Sequence, residues 1–99
     1  MHLTSNHIEK IKQLCDAHKV DKMYLFGSAL NDNLKPESDI DFLVRFKPGN
    51  LAGYFDNYIS FKEKLKNLFG REVDLLEEQT LKNPILIKSI NKNKQLIYG

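Results

Sequence analysis

The sequence predicts an α/β (α+β) fold: a small mixed β-sheet with helices packed against it. Three observations carry this prediction. Apolar residues recur at helical spacing in three separate segments, and short apolar runs ending in turn formers lie between them. The chain of 99 residues is long enough for one hydrophobic core but not two, so residues 1–99 are read as a single domain.

Thr4 or Ser5 can cap a first helix running to about His18, with Ile8, Ile11, Leu14 and Cys15 on one face. Met23–Phe26 is a short apolar run ending at Gly27 and reads as a buried strand. Asn31–Ser38, with Pro36 inside it, is rich in turn formers. A second strand, Ile40–Phe46, is closed by Lys47–Asn50. Helical spacing returns from about Leu51 to Phe69, with Gly70 as its stop. Glu72–Leu76 is a third strand. Pro84 opens a last helix carrying Ile87 and Ile90, and Gln95–Tyr98 is a short final strand. The order of elements is that of helices layered on a sheet.

Composition narrows the function classes. Charged residues are 28% and hydrophobic ones 41% of the chain, as in a globular protein. No apolar run reaches membrane-spanning length, and the N-terminus lacks the apolar core of a signal peptide. The expectation is a cytoplasmic protein with no membrane partner. Cys15, the single cysteine, excludes an internal disulfide and fits a buried core position better than a reactive thiol. A net charge of +2 gives no strong nucleic-acid signal. Lys82, Lys88, Lys92 and Lys94 nevertheless stand in a C-terminal stretch without acids, which reads either as a solvated face or as a surface for phosphate or an acidic partner. His2, His7 and His18 form no metal-like grouping and are expected at the surface; the tyrosines are expected to pack.

The informative feature is Asp39 and Asp41. Side chains two apart on a strand point to one face, about 6.6 Å apart. At an effective dielectric near 20 their charges repel by about 2.5 kcal/mol. In water, at the strand's start, the repulsion falls below about 1 kcal/mol, and Asp39 could simply cap the preceding turn. A divalent cation would reverse the sign, because hard carboxylate oxygens are what Mg²⁺ requires. Asp74 repeats the design: Asp74 and Leu76 share one face of their strand, as Asp41 and Leu43 do of theirs. If the two strands are neighbours, three carboxylates meet on one surface. Such a group can hold two ions about 3.5–4 Å apart, an arrangement suited to in-line phosphoryl displacement. Gly27-Ser28, at the end of the first strand, offers backbone N–H groups and a hydroxyl to phosphate.

Leu25-Phe26-Gly27-Ser28, then Ser38–Val44 (SDIDFLV), then Val73–Leu76 (VDLL) together resemble the DNA polymerase β-like nucleotidyltransferase superfamily. Within it they resemble the minimal, MNT-type nucleotidyltransferases, and the likeness extends through the C-terminal LKNPILIKSINKNKQLIYG. The resemblance implies the nucleotidyltransferase fold and a site in which Asp39, Asp41 and Asp74 bind two Mg²⁺ ions. Gly27 and Ser28 would contact the β- and γ-phosphates of ATP, and Asp74 would help deprotonate an acceptor hydroxyl. One departure is visible: many relatives carry arginine soon after Gly-Ser, whereas here the segment is Ala29-Leu30-Asn31-Asp32-Asn33. Stand-alone members resemble antitoxins that adenylylate a tyrosine of a HEPN-domain ribonuclease toxin, so a HEPN toxin is the implied partner. Two alternatives stay open at this point. One is a binding-only antitoxin or pseudo-enzyme that masks its partner. The other is a transferase acting on a small molecule or RNA with a separate substrate-binding subunit.

Overall fold

The structure is a computed structural model that describes residues 3–27, 39–49 and 52–99. The elements, in chain order, are α1 (Ser5–Ala17), β1 (Val20–Phe26), β2 (Ile40–Phe46), α2 (Tyr54–Phe69), β3 (Val73–Glu77), a 3₁₀ turn (Glu78–Thr80), α3 (Pro84–Lys92) and β4 (Gln95–Tyr98). The four strands form one mixed sheet in the order β3-β2-β1-β4. β1 pairs antiparallel with β2 and with β4, while β2 and β3 run parallel.

Local chemistry sets the helix ends. Thr4 caps α1: its Oγ1 accepts the His7 N–H at 3.2 Å, and its own N–H donates back to His7 Nδ1. The Asn83 side chain accepts from the N–H groups of Ile85 and Leu86 at the start of α3, where Pro84 leaves no donor stranded. α2 starts later than its apolar periodicity suggests. Gly53, at φ +75°, takes the left-handed conformation as N-cap, so the regular turns begin at Tyr54.

The apolar alternation of β2 sorts its side chains. Ile40, Phe42, Val44 and Phe46 face a core shared with Ile11 and Cys15 of α1 and Phe61 and Leu65 of α2. Val20, Met23 and Leu25 of β1 and Val73 and Leu75 of β3 complete it. Cys15 is fully buried, its Sγ 3.8 Å from Met23 Sδ. Burial first, and Asp16 second, push its thiol up to about 12, so it is a packing residue and not a nucleophile. Tyr54, Tyr58 and Tyr98 also pack against this core, and the Tyr98 hydroxyl donates to Asp16, tying β4 to α1. On the opposite sheet face, α3 lays Ile90 near Leu43, and both are buried. No helix among the described residues is long and apolar enough to cross a membrane.

Two further expectations change. β1 starts at Val20, not Met23, because Val20-Asp21-Lys22 pairs across an irregular register with Arg45 and Phe46 despite its charges. His18 is not a surface residue: it is 4% exposed, with Nδ1 2.7 Å from the Leu14 carbonyl and Nε2 3.1 Å from Ser60 Oγ. The carbonyl can only accept, so in the neutral ring Nδ1 carries the proton and Nε2 accepts from the serine. Ser60→Ala would leave that nitrogen unsatisfied and should cost about 1–2 kcal/mol, read from urea unfolding with an unchanged m-value. An unaltered midpoint would show that water replaces the hydroxyl. The turn predicted over Asn31–Ser38 lies outside the described residues.

Candidate active site

The sheet face that carries α3 also carries the acids, at the end of β2 where the chain enters. Asp41 is half-buried, whereas Asp39 immediately before the strand and Asp74 on β3 are exposed. The parallel β2–β3 register makes Asp41 and Asp74 Cα partners, so the two carboxylates stand side by side on one surface. The neighbour relation that the sequence could only pose as a condition therefore holds. On its other side Asp41 is the partner of Phe26, the residue before Gly27.

Gly27 completes the geometry. Its φ of +77° is a left-handed conformation, and its Cα faces the Asp41 carboxylate so closely that an added Cβ would lie 3.2 Å from Cγ and overlap Oδ2. The first strand's exit thus runs against the carboxylate of the second. Ser28 lies outside the described residues.

Electrostatics mark Asp41 as the centre of this cluster. Its pKa is raised, first by burial, then by the charge of Asp74, then by that of Asp39. The direction matters: the usual compensation for a half-buried carboxylate is a cation, and among the described residues no ion pair reaches these three acids. The pairs present, Arg45–Asp21 at 3.9 Å and Lys66 with Glu63 and Glu72 at 3.6 and 3.3 Å, lie elsewhere. Lys82, Lys88 and Lys92 are exposed, and Lys94 sets its Nζ 4.2 Å from the centroid of the Tyr24 ring. Among the described residues no three His, Cys, Asp or Glu side chains are drawn close enough to cage an ion as they stand. Asp41 and Asp74 are paired, with Asp39 just beyond the strand.

Two neighbours were not singled out from sequence. Tyr58 of α2 donates its hydroxyl to the Leu75 carbonyl, and its pKa is raised by burial and then by Asp74, so it remains a proton-bearing hydrogen-bond donor. Phe26 was read only as the last apolar residue of a strand; its pairing with Asp41 puts it on the carboxylate face. The strand alternation was the available signal for Phe26, whereas nothing local links Tyr58 to Leu75.

The chain is similar to known nucleotidyltransferases. Residues 9–99 match the family model "Polymerase beta, Nucleotidyltransferase". A "putative protein adenylyltransferase" of Methanocaldococcus jannaschii is 38% identical over 87 residues, covering 88% of this chain and 84% of its own. Among solved structures, a "putative minimal nucleotidyltransferase" superposes with a TM-score of 0.76 at 27% identity, over 91% of this chain and 88% of the other. A tri-AMPylated Shewanella oneidensis HEPN toxin in complex with MNT antitoxin gives a fold-level match, with a TM-score of 0.61 at 23% identity over 93% of this chain and 69% of the other. With its paired strand carboxylates beside a left-handed glycine, the chain belongs to the polymerase β nucleotidyltransferase family.

Proposed function

We propose that this nucleotidyltransferase transfers AMP from ATP to a hydroxyl of a HEPN-domain protein partner, a tyrosine by preference, and thereby acts as an antitoxin in the cytoplasm. The observation that carries the reading is the Asp41–Asp74 pair, set side by side against Gly27 with no described cation beside it. The adenylyltransferase relative supports AMP as the transferred group, and the toxin complex supports the class of partner.

The donor set suits Mg²⁺: Asp39, Asp41 and Asp74 supply only hard carboxylate oxygens. Held by these three residues, Mg²⁺ ions would neutralise the triphosphate and make the α-phosphorus more electrophilic. The chain's own groups do the rest. The backbone at Gly27, with Ser28, holds the β- and γ-phosphates, since successive backbone N–H groups at a glycine turn suit phosphate oxygens. Asp74 accepts the proton of the acceptor hydroxyl. The freed oxygen forms its bond to the α-phosphorus as the bond to the β-phosphate oxygen breaks, and pyrophosphate leaves. Catalysis is chiefly positioning and charge stabilisation.

Incubation with labelled ATP, Mg²⁺ and a HEPN protein encoded beside this chain should add one or more adenylate masses to that protein. Asp39→Asn should abolish the increment. If the partner is silenced equally well by Asp39→Asn, with no mass change on either chain, neutralisation is by masking and the transfer reading fails.

A further inference from the structure

Tyr58 of α2 acts where the sheet is held least. β3 is an edge strand: in the order β3-β2-β1-β4 its strand neighbour among the described residues is β2 alone. The Ile40 N–H donates to the Glu72 carbonyl at 3.1 Å, and Asp41 is the Cα partner of Asp74. Backbone groups alternate along a strand, so Asp74 turns its own toward β2, whereas Leu75 and Glu77 turn theirs outward. Both of these carbonyls are taken by hydroxyls: Tyr58 donates to Leu75, and Thr80 Oγ1 donates to Glu77 at 2.9 Å. The two bonds differ in reach. Thr80 belongs to the 3₁₀ turn that follows the strand and bonds within that turn, whereas Tyr58 reaches over from another element.

The Tyr58 bond secures the residue before Leu75. Asp74 is exposed, so its carboxylate is placed by the backbone that carries it. Opposite it stands Asp41, and like charges on directly paired residues push their strands apart. An inner strand withstands such a push through ladders on both sides, but β3 has one. α2, in contrast, is fixed by Phe61 and Leu65 in the core, and the Tyr58 ring packs there too. A hydroxyl carried on that helix and bonded one residue beyond Asp74 keeps the strand from peeling or sliding. The charge of Asp74, after burial, raises the pKa of this hydroxyl, as it does for groups near one another. We propose that Tyr58 is a positioning residue for nucleotidyl transfer: it holds β3 so that Asp74 meets the acceptor hydroxyl. This assignment rests on the transfer reading above and adds to it a residue that lies off the face carrying the acids.

Tyr58→Phe keeps the ring and Thr80→Val keeps the side-chain shape, so each variant loses one hydroxyl and little packing. Both are assayed below their melting temperatures, with the HEPN protein as acceptor. Tyr58→Phe should lower kcat about tenfold and leave KM for ATP within about twofold, because the phosphates are held from β1 and β2. Thr80→Val should leave both constants within about twofold, although it too frees an outward carbonyl. Equal losses of kcat in the two variants, in step with their melting temperatures, would make the tyrosine hydroxyl a stability element only. A kcat for Tyr58→Phe unchanged from wild type, or a rise in KM for ATP that carries the whole effect, would also overturn the assignment while the transfer reading stands. If the wild-type protein transfers no adenylate, the assignment falls together with that reading.

Discussion

Asp41→Asn is expected to lower nucleotidyl transfer by about 10³-fold or more while leaving the unliganded protein as stable as the wild type or more so. Function and stability separate here because the folded protein holds Asp41 against its own preference. Its carboxyl lies above the ordinary range owing to burial, then Asp74, then Asp39. A carboxyl raised in the folded state gives its full contribution to stability below its unfolded value, near 3.9, and loses it as pH rises through the folded value. The ionised wild-type side chain is therefore a burden at neutral pH that asparagine removes. The stability gap between variant and wild type should close as pH falls through the raised folded value toward about 3.9. Ligand reverses the ranking. At about 100 times its dissociation constant, Mg²⁺-ATP should stabilise the wild type by about 2.7 kcal/mol, a rise in Tm on the order of 10–20 °C for a chain of this size. Differential scanning fluorimetry with and without Mg²⁺-ATP reads both effects. A wild-type melting curve indifferent to saturating Mg²⁺-ATP, or an Asp41→Asn variant with the full shift, would refute the role given to this carboxylate.

Gly27→Ala should cost about 2–4 kcal/mol and also disable transfer. A left-handed φ charges alanine about 1–2 kcal/mol, and the new methyl group overlaps the Asp41 carboxylate. The strand exit and the carboxylate cannot both stay in place, so the site distorts even below the variant's melting temperature. Asp41→Ala removes the overlapped oxygen and Cγ but leaves the backbone conformation alone. In that background the cost of Gly27→Ala should fall to the backbone contribution of about 1–2 kcal/mol. A coupling energy near zero in this double-mutant cycle would mean that the glycine serves the turn only and does not make room for the carboxylate.

Much of this was legible in the sequence because the decisive signals are local. The bounds of β2 and β4 follow from short apolar runs between turn formers, and the start of α3 from Pro84. The start of β1 was hidden because Asp21 and Lys22 are charged, yet Lys22 pairs with Arg45 of β2 and Asp21 stands at the irregularity between Val20 and Lys22. His18 was misplaced by residue type, although its spacing of three and four from Cys15 and Leu14 already put it on the buried face of α1. The carboxylate trio was only half visible. Strand alternation puts Asp39 and Asp41 on one face, but strand order, a property of the whole sheet, decides whether Asp74 joins them. Ser28 carries its expected role from sequence alone, since it lies outside the described residues.

The parallel pairing of β2 with β3 governs how the protein acquires activity as it folds. No hairpin can make a parallel pair; the chain leaves the sheet at Phe46, builds α2 and returns at Val73 before Asp74 can reach Asp41. Closing so long a connection brings late rewards, because the entropy of the loop is lost before the distant contacts form. Neither half of the molecule can therefore bring Asp74 beside Asp41, and a partly folded chain is expected to lack the carboxylate pair although it carries both residues. A core substitution far from the carboxylates should accordingly lower cellular activity through the number of folded molecules, while each folded molecule works at the wild-type rate.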